Sequence, residues 1–396
     1  MRTVGTVVRG IRTPVIKHGM NLEEVVIDAL MNAKTHEKFE FKDKDIVAIT
    51  EAVVGITEGN FATLDNIATD IKNKFPDGHL GLVFPSPMSR NRMPFLRGLA
   101  RGLDKMTVLM SYPADIDIHN ELFDEELLEE YNINPATDIL DEATYLKYFG
   151  SAVHKFTGVN YVKFFKEEIE KENCKIEIIL ANDPTVILNY EKDILVGCVH
   201  SRNKIKKLIS NKKPNSIYCL DEIMTKSIDG SGFNSKYGLL GSNRVQDEKL
   251  KLFPTSGQVL VENIQKKLKE ITGKTIEVMV YADGAFKDPV GGIWELADPV
   301  VSPAHTSGLT GLPNEIKLKY ISDNKLSDLS GEELNEAMKK EIKSKEKDLF
   351  GKMESQGTTP RQITDLIGSL CDLTTGSGDK GTPVVYIQGY FDNYAD

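Results

Sequence analysis

A short apolar run that stops abruptly on polar residues constrains this chain most: Ile46-Val47-Ala48-Ile49, followed at once by Thr50 and Glu51. Four consecutive apolar residues with neither helical nor alternating spacing predict a strand buried on both faces. Such a strand needs cover on each side of its sheet. Ligands of open α/β sheets commonly meet strand ends, so Thr50 and Glu51 are candidate site residues as well as a polar exit from the core. The stretch runs on through Val53-Val54 to the turn-prone Glu58-Gly59-Asn60.

Two further stretches share this character. The run Ile276 to Tyr281 is again a buried strand, and it leads through Ala282 to the carboxylate of Asp283 and to Gly284. That position gives Asp283 value as a metal or phosphate ligand. Thr374 to Pro383 is rich in Gly, Ser and Thr and leads into the strand Val384 to Ile387. A loop of this kind can turn backbone N–H groups toward phosphates. It lacks the Walker spacing and opens no helix, so its own specificity is weak.

The remaining segments place these three. Val4 to Val8 reads as a strand, with a turn marked by Gly10 and Pro14 that sets Arg9, Arg12 and Thr13 beside it. Helical spacing from Leu22 to Leu30 predicts an amphipathic helix, and Leu64 to Ile71 a second one on the same sheet. His79 to Phe84 is a strand. Beyond it, helices and the strands Ile176 to Leu180, Ile194 to His200 and Ile217 to Leu220 alternate, as in a separate α/β lobe. Ser256 to Ile271 is an amphipathic helix stopped by Gly273. The expected fold is α+β (mixed α/β). Residues 1–85 and 235–396 would form one domain from both chain ends, with residues 86–234 as an inserted α/β lobe.

Charge narrows the partners. With 49 Lys and Arg against 59 Asp and Glu the net charge is −10, which argues against nucleic acid as a ligand. Against that background Arg90, Arg92, Arg97 and Arg101 stand out. They suggest an anion-binding segment, with Arg90 and Arg92 holding a phosphorylated or carboxylated substrate; the other reading is a helix face paired to acids. Cys174, Cys198, Cys219 and Cys371 lie far apart with no Cys-x-x-Cys pair, which fits reduced buried thiols. Cys198 and His200 read as structural. No signal peptide and no membrane span is read, so a cytoplasmic protein is expected.

In order along the chain, these stretches resemble the coenzyme F420-0:γ-glutamyl ligase family. The opening Ile16-Lys17-His18-Gly19-Met20-Asn21-Leu22 is similar to the family's glycine-to-aspartate-leucine start. Asp45 through Glu58-Gly59 resembles its strand ending in a Glu-Gly turn, and Leu239 to Asn243 its segment ending in Ser-Asn. Val278 to Phe286 resembles its strand-Asp-Gly-Phe block, and Gly381 to Gly389 its C-terminal Gly-x-Pro-Val-Val strand. The chain departs from the family pattern at Ile56, where a lysine is usual, at Leu240, where a metal-binding aspartate is usual, and at Ser377, where an acid or amide is usual. It looks like a long variant, with 86–234 unplaced in the short members.

The resemblance implies a ligase that joins a carboxylate substrate to L-glutamate through an acyl phosphate, using GTP or ATP and a divalent cation, Mg²⁺ or Mn²⁺. It also implies a homodimer. Asp283 is then the leading metal ligand, with Glu51 or Asp298 completing the site. Arg12, Thr13, Thr50, Glu51, Asn243, Gly376, Ser377 and Gly378 are the expected nucleotide contacts. Two alternatives stay open at this point: a non-catalytic nucleotide or anion binder on the same scaffold, and an enzyme acting on a different phosphorylated acid.

Overall fold

The computed structural model describes residues 3–85, 94–117, 121–154, 158–282, 285–287, 294–296, 303–355, 362–376, 378 and 380–395. It divides into two compact units, residues 1–58 with 256–396, and residues 59–255.

The first unit is built on a five-stranded mixed sheet. Its elements in chain order are β1 (Val7–Ile11), α1 (Leu22–Glu37), β2 (Ile46–Thr50), α2 (Glu51–Glu58), α3 (Gly257–Thr272), β3 (Glu277–Tyr281), β4 (Ala285–Lys287), β5 (Trp294–Leu296), β6 (Ala304–His305), α4 (Leu318–Asn324), α5 (Gly331–Ser344), α6 (Ile363–Thr375) and β7 (Val384–Gln388). The sheet order is β1-β7-β2-β3-β6, while β4 and β5 form a separate two-stranded pair. Only β2 and β3 run parallel; β7 is antiparallel to both β1 and β2.

The continuous apolar runs follow from cover on both faces. Val47, Ile49, Val278 and Val280 pack with Val26 and Leu30 of α1 and with Val261, Ile264 and Leu268 of α3. The alternate residues Ile46, Ala48, Met279 and Tyr281 pack with Ile363, Ile367 and Cys371 of α6. Val47 and Ile49 are each 0% exposed, and full burial of such a side chain contributes about 1.5–3 kcal/mol relative to exposure. The helix ends are encoded locally. Asn21 caps α1 by accepting from the Glu24 amide, and Gly273 ends α3 in the left-handed region.

The second unit is a doubly wound sheet. Its strands lie in the order Leu140–Asp141, Lys175–Leu180, Lys105–Met110, His79–Val83, Asp193–Val196, Ser216–Cys219. All are parallel except the two-residue edge strand. Taking the parallel strands by their place in the chain, the spatial order is 3-2-1-4-5, the doubly wound arrangement. Helices Leu64–Lys74, Phe95–Arg101 and Tyr161–Glu170 cover one face, and Arg202–Ser210 packs on the other.

Several expectations shift. The first strand is Val7–Ile11, so Arg9 and Gly10 lie within it and Gly10 pairs with Val385 instead of marking a turn. Helix Leu64–Lys74 does not share the sheet of the first unit. It packs on Phe95–Arg101, with Gly98 so close that an added Cβ would meet Ile67 Cβ at 2.9 Å. The boundaries expected at 85/86 and 234/235 therefore fall inside the second unit, which begins at Gly59 and ends at Thr255. Thr225 to Lys236, whose Gly, Ser and Asn content reads as a connection back to the first lobe, also stays in that unit, where Asn234 Nδ2 donates to the Phe253 carbonyl at 3.1 Å. No helix among the described residues is long and apolar enough to cross a membrane.

Candidate functional site

Strand register brings distant segments to one end of the first unit's sheet. Ile11 and Ile49 both pair with Val384, and Thr50 pairs with Tyr281. The Thr50 amide donates to the Pro383 carbonyl at 3.0 Å. Arg12, Glu51, Ala282 and Pro383, the residues next to these strand ends, are thus delivered to the same end of the sheet. The parallel pair β2 and β3 ends there at its carboxyl side, where ligands of α/β sheets commonly bind.

Thr50 and Glu51 occupy this end with little exposure, 3% and 6%. No loop intervenes between β2 and α2, so Glu51 opens the helix directly and its carboxylate sits at the positive end of the helix dipole. The oxygens of Thr50 and Glu51 are hard donors of the type that Mg²⁺ or Mn²⁺ prefers. Elsewhere among the described residues, Cys219, Asp221 and Glu222 cluster in the second unit. There, however, Asp221 accepts from Arg202 and Glu222 pairs with Lys206, so cationic side chains already neutralise both acids.

Across from Thr50, the last turn of α6 gives way to the glycine loop. Gly376, Gly378 and Gly381 take φ of 56°, 88° and 75°, conformations that favour glycine. The sequence predicts that this loop opens its amides to phosphate. The amides of Gly376, Gly378, Lys380 and Gly381 instead bond inside the loop and helix end, to Asp372 O, Thr375 Oγ1, Thr375 O and Gly378 O at 2.7, 3.3, 3.5 and 2.9 Å. These four amides, among the described residues of the loop, are bonded within it and the helix end. Beneath it the Tyr281 hydroxyl lies 2.9 Å from Thr375 Oγ1, and both residues are 0% exposed. Burial pushes the Tyr281 phenol well above its ordinary value, so it keeps its proton.

The site residues expected from sequence fall into three groups. Arg12, Thr13, Thr50, Glu51, Gly376 and Gly378 come to this one end, with Arg12 exposed and Thr13 donating to its neighbour Pro14 O at 3.0 Å. Asn243 belongs to the second unit, in the strand Asn243–Gln246, and donates from Nδ2 to Gly241 O at 3.5 Å. Asp283, Asp298, Ser377, Arg90 and Arg92 lie outside the described residues.

Of the four arginines, Arg97 and Arg101 are spoken for. Their Nε atoms donate to Glu172 at 2.6 and 2.8 Å, and both also pair with Glu248. The paired reading holds for these two, and the anion-binding one does not. Leu240 lies in the apolar core of the second unit. Cys198 is fully buried with Sγ 3.4 Å from the Phe84 carbonyl, a structural role. Sequence reasoning missed Tyr281 and Thr375. A tyrosine closing a buried strand is a signal in itself, because its hydroxyl needs a partner there.

The family model described as F420-0:Gamma-glutamyl ligase matches residues 10–389. The chain belongs to the F420-0:gamma-glutamyl ligase family. The matched span runs from the last two residues of β1 through β7 and includes the whole second unit, so residues 86–234 fall inside the family match as well. No curated protein matches the chain.

Proposed function

We propose that the protein is a nucleoside-triphosphate-dependent ligase that forms an amide bond between a small carboxylic acid and L-glutamate, F420-0 being the acceptor that the family's description points to. The observation that carries this reading is the register that gathers Arg12, Thr50, Glu51 and Gly378 at the carboxyl ends of β2 and β3.

The chemistry needs activation, because a carboxylate does not acylate an amine at neutral pH. A carboxylate oxygen attacks the γ-phosphorus, the bond to the bridging oxygen breaks, and the diphosphate leaves. The amine of glutamate then attacks the acyl carbon, loses a proton, and displaces inorganic phosphate as the amide forms. Catalysis of such transfers is mostly positioning and charge neutralisation. In this reading exposed Arg12 holds phosphate oxygens, and Thr13 and Thr50 offer hydroxyls. Glu51, with Asp283, is the donor set for a divalent cation, which when bound neutralises phosphate charge. The reading extends to a cytoplasmic homodimer.

Thermal melts with GTP or ATP and Mg²⁺ or Mn²⁺ test it. A nucleotide at a hundredfold excess over Kd stabilises by about 2.7 kcal/mol. The expected result is a metal-dependent shift lost in Asp283→Ala and reduced in Arg12→Ala, with phosphate release stimulated by glutamate. No shift with any nucleotide would sink the proposal. Leu240 in the core and the four bonded amides of the glycine loop favour a second reading, a nucleotide binder without transfer. A shift without glutamate-stimulated phosphate release would support that one instead.

A further inference from the structure

Thr375 has a hydroxyl whose every valence is assigned. Its Oγ1 lies 3.1 Å from Cys371 O, 2.9 Å from the Tyr281 hydroxyl and 3.3 Å from the Gly378 amide nitrogen. A hydroxyl offers one proton and two lone pairs. The Cys371 carbonyl only accepts, so Thr375 donates to it. The Gly378 amide only donates, so it takes one lone pair. Tyr281 must therefore donate into the other, which fixes the direction of a bond that distance alone leaves open.

The three bonds join three different parts of the site. Cys371 is in α6, Tyr281 is the last residue of β3, and Gly378 is in the loop beside Thr50. Gly376 stands between Thr375 and Gly378 in a left-handed conformation, a point where the chain could otherwise swing. The hydroxyl reaches across that glycine and holds the far amide. At a position with 0% exposure a valine would bury the same shape without a polar atom to satisfy, so the hydroxyl is present for its bonds.

We propose that Thr375, aimed by Tyr281, is a positioning residue that sets the glycine loop against the ends of β2 and β3 in the geometry the nucleotide polyphosphate requires. This rests on the ligase reading above. The latch acts before any ligand arrives, because its three partners are all protein groups. It does not touch substrate itself.

The test compares Thr375→Val, Thr375→Ser and Tyr281→Phe in the full chain by two readouts. The first is deuterium exchange of the 376–381 segment; the second is KM for Mg²⁺-GTP and Mg²⁺-ATP against KM for glutamate. Thr375→Val should raise exchange and the nucleotide KM each on the order of tenfold, with the glutamate KM unchanged. Thr375→Ser, which keeps the hydroxyl, should restore both. Tyr281→Phe should fall between, because one of two accepted bonds remains. Slow exchange and unchanged nucleotide KM in Thr375→Val, with only the melting temperature lowered, would overturn the proposal and leave a core-packing residue. If the wild type binds neither nucleotide, the ligase reading fails by itself, and the exchange comparison still decides whether the latch exists.

Discussion

Thr50 and Tyr281 stand beside each other as register partners at the carboxyl ends of neighbouring parallel strands, although the whole second unit separates them in sequence. Thr50 hands the chain straight to the helix that Glu51 opens, and Tyr281 places its hydroxyl on Thr375 below the glycine loop. The site is therefore set by strand pairing and by buried hydroxyls, both of which can be perturbed one residue at a time.

Gly378 to alanine is expected to damage both stability and the site. Its φ of 88° costs an L-residue about 1–2 kcal/mol. The new Cβ would also meet Pro383 Cα at 3.3 Å and Thr50 Cγ2 at 3.5 Å. Gly376→Ala carries the backbone cost but has nothing within 4 Å to meet. Urea titrations of the two variants should show the larger loss in Gly378→Ala; equal losses would mean that the contact with Pro383 carries no weight.

Glu172 to glutamine should destabilise the second unit. Its carboxylate is 7% exposed and binds Arg97 and Arg101 through separate oxygens. Both arginines keep Glu248, so the loss is expected at about 1–3 kcal/mol, below the 3–5 typical of a fully buried pair. Circular dichroism during urea unfolding reads this, and a loss within a few tenths of a kcal/mol would show the network to be energetically idle.

The same network gives a pH signature. The hydrogen bond from Arg101 holds the Glu248 carboxyl below its ordinary value of 4.5, against desolvation and with help from Arg97. As pH falls the unfolded chain takes up this proton first. The stabilisation is thus complete above about 4.5 and drains away as pH drops through the lower folded value. Melting temperatures of wild type and Glu248→Gln should differ most at neutral pH and converge in acid. A gap that widens on acidification would contradict the assignment.

All four cysteines should resist thiol reagents until the protein unfolds. Each is buried, and burial pushes the Cys174 and Cys219 thiols up to about 12. Reactivity follows the thiolate, so an aromatic disulfide reagent at mildly alkaline pH should react with none in the native state and four in denaturant. Rapid labelling of any native thiol would show that its surroundings open.

Sequence reveals the centre of the first unit well and its rim poorly, for physical reasons. Strands covered on both faces must be apolar at every position, so Ile46 to Ile49 and Ile276 to Tyr281 are legible as runs. Edge strand β1 is not, because Arg9 and Gly10 look like turn residues. In the fold the Arg9 guanidinium lies 4.8 Å from the centre of the Phe39 ring, and Gly10 gives room to Thr382, which would sit 3.0 Å from an added Cβ. Helix α2 carries Val53, Val54, Gly55, Ile56 and Thr57, all weak helix formers, so its conformation is imposed by packing and has no local signal. Strand register is likewise invisible to periodicity. Convergence of Arg12, Thr50 and Gly378 follows from pairings between segments hundreds of positions apart, and here the order of the family-like stretches was more informative than any one of them.

Strand β7 lies between β1 and β2 in the sheet, yet follows both by most of the sequence. During synthesis β1 has no neighbour to pair with until Val384 to Gln388 leaves the ribosome, and β2 has only β3. The second unit, whose strands come from one uninterrupted stretch, can mature meanwhile. Ribosomes stalled before that last strand should therefore display a protease-resistant fragment of residues 59–255 on an otherwise cleavable chain, and the sheet of the first unit would close only with its final strand.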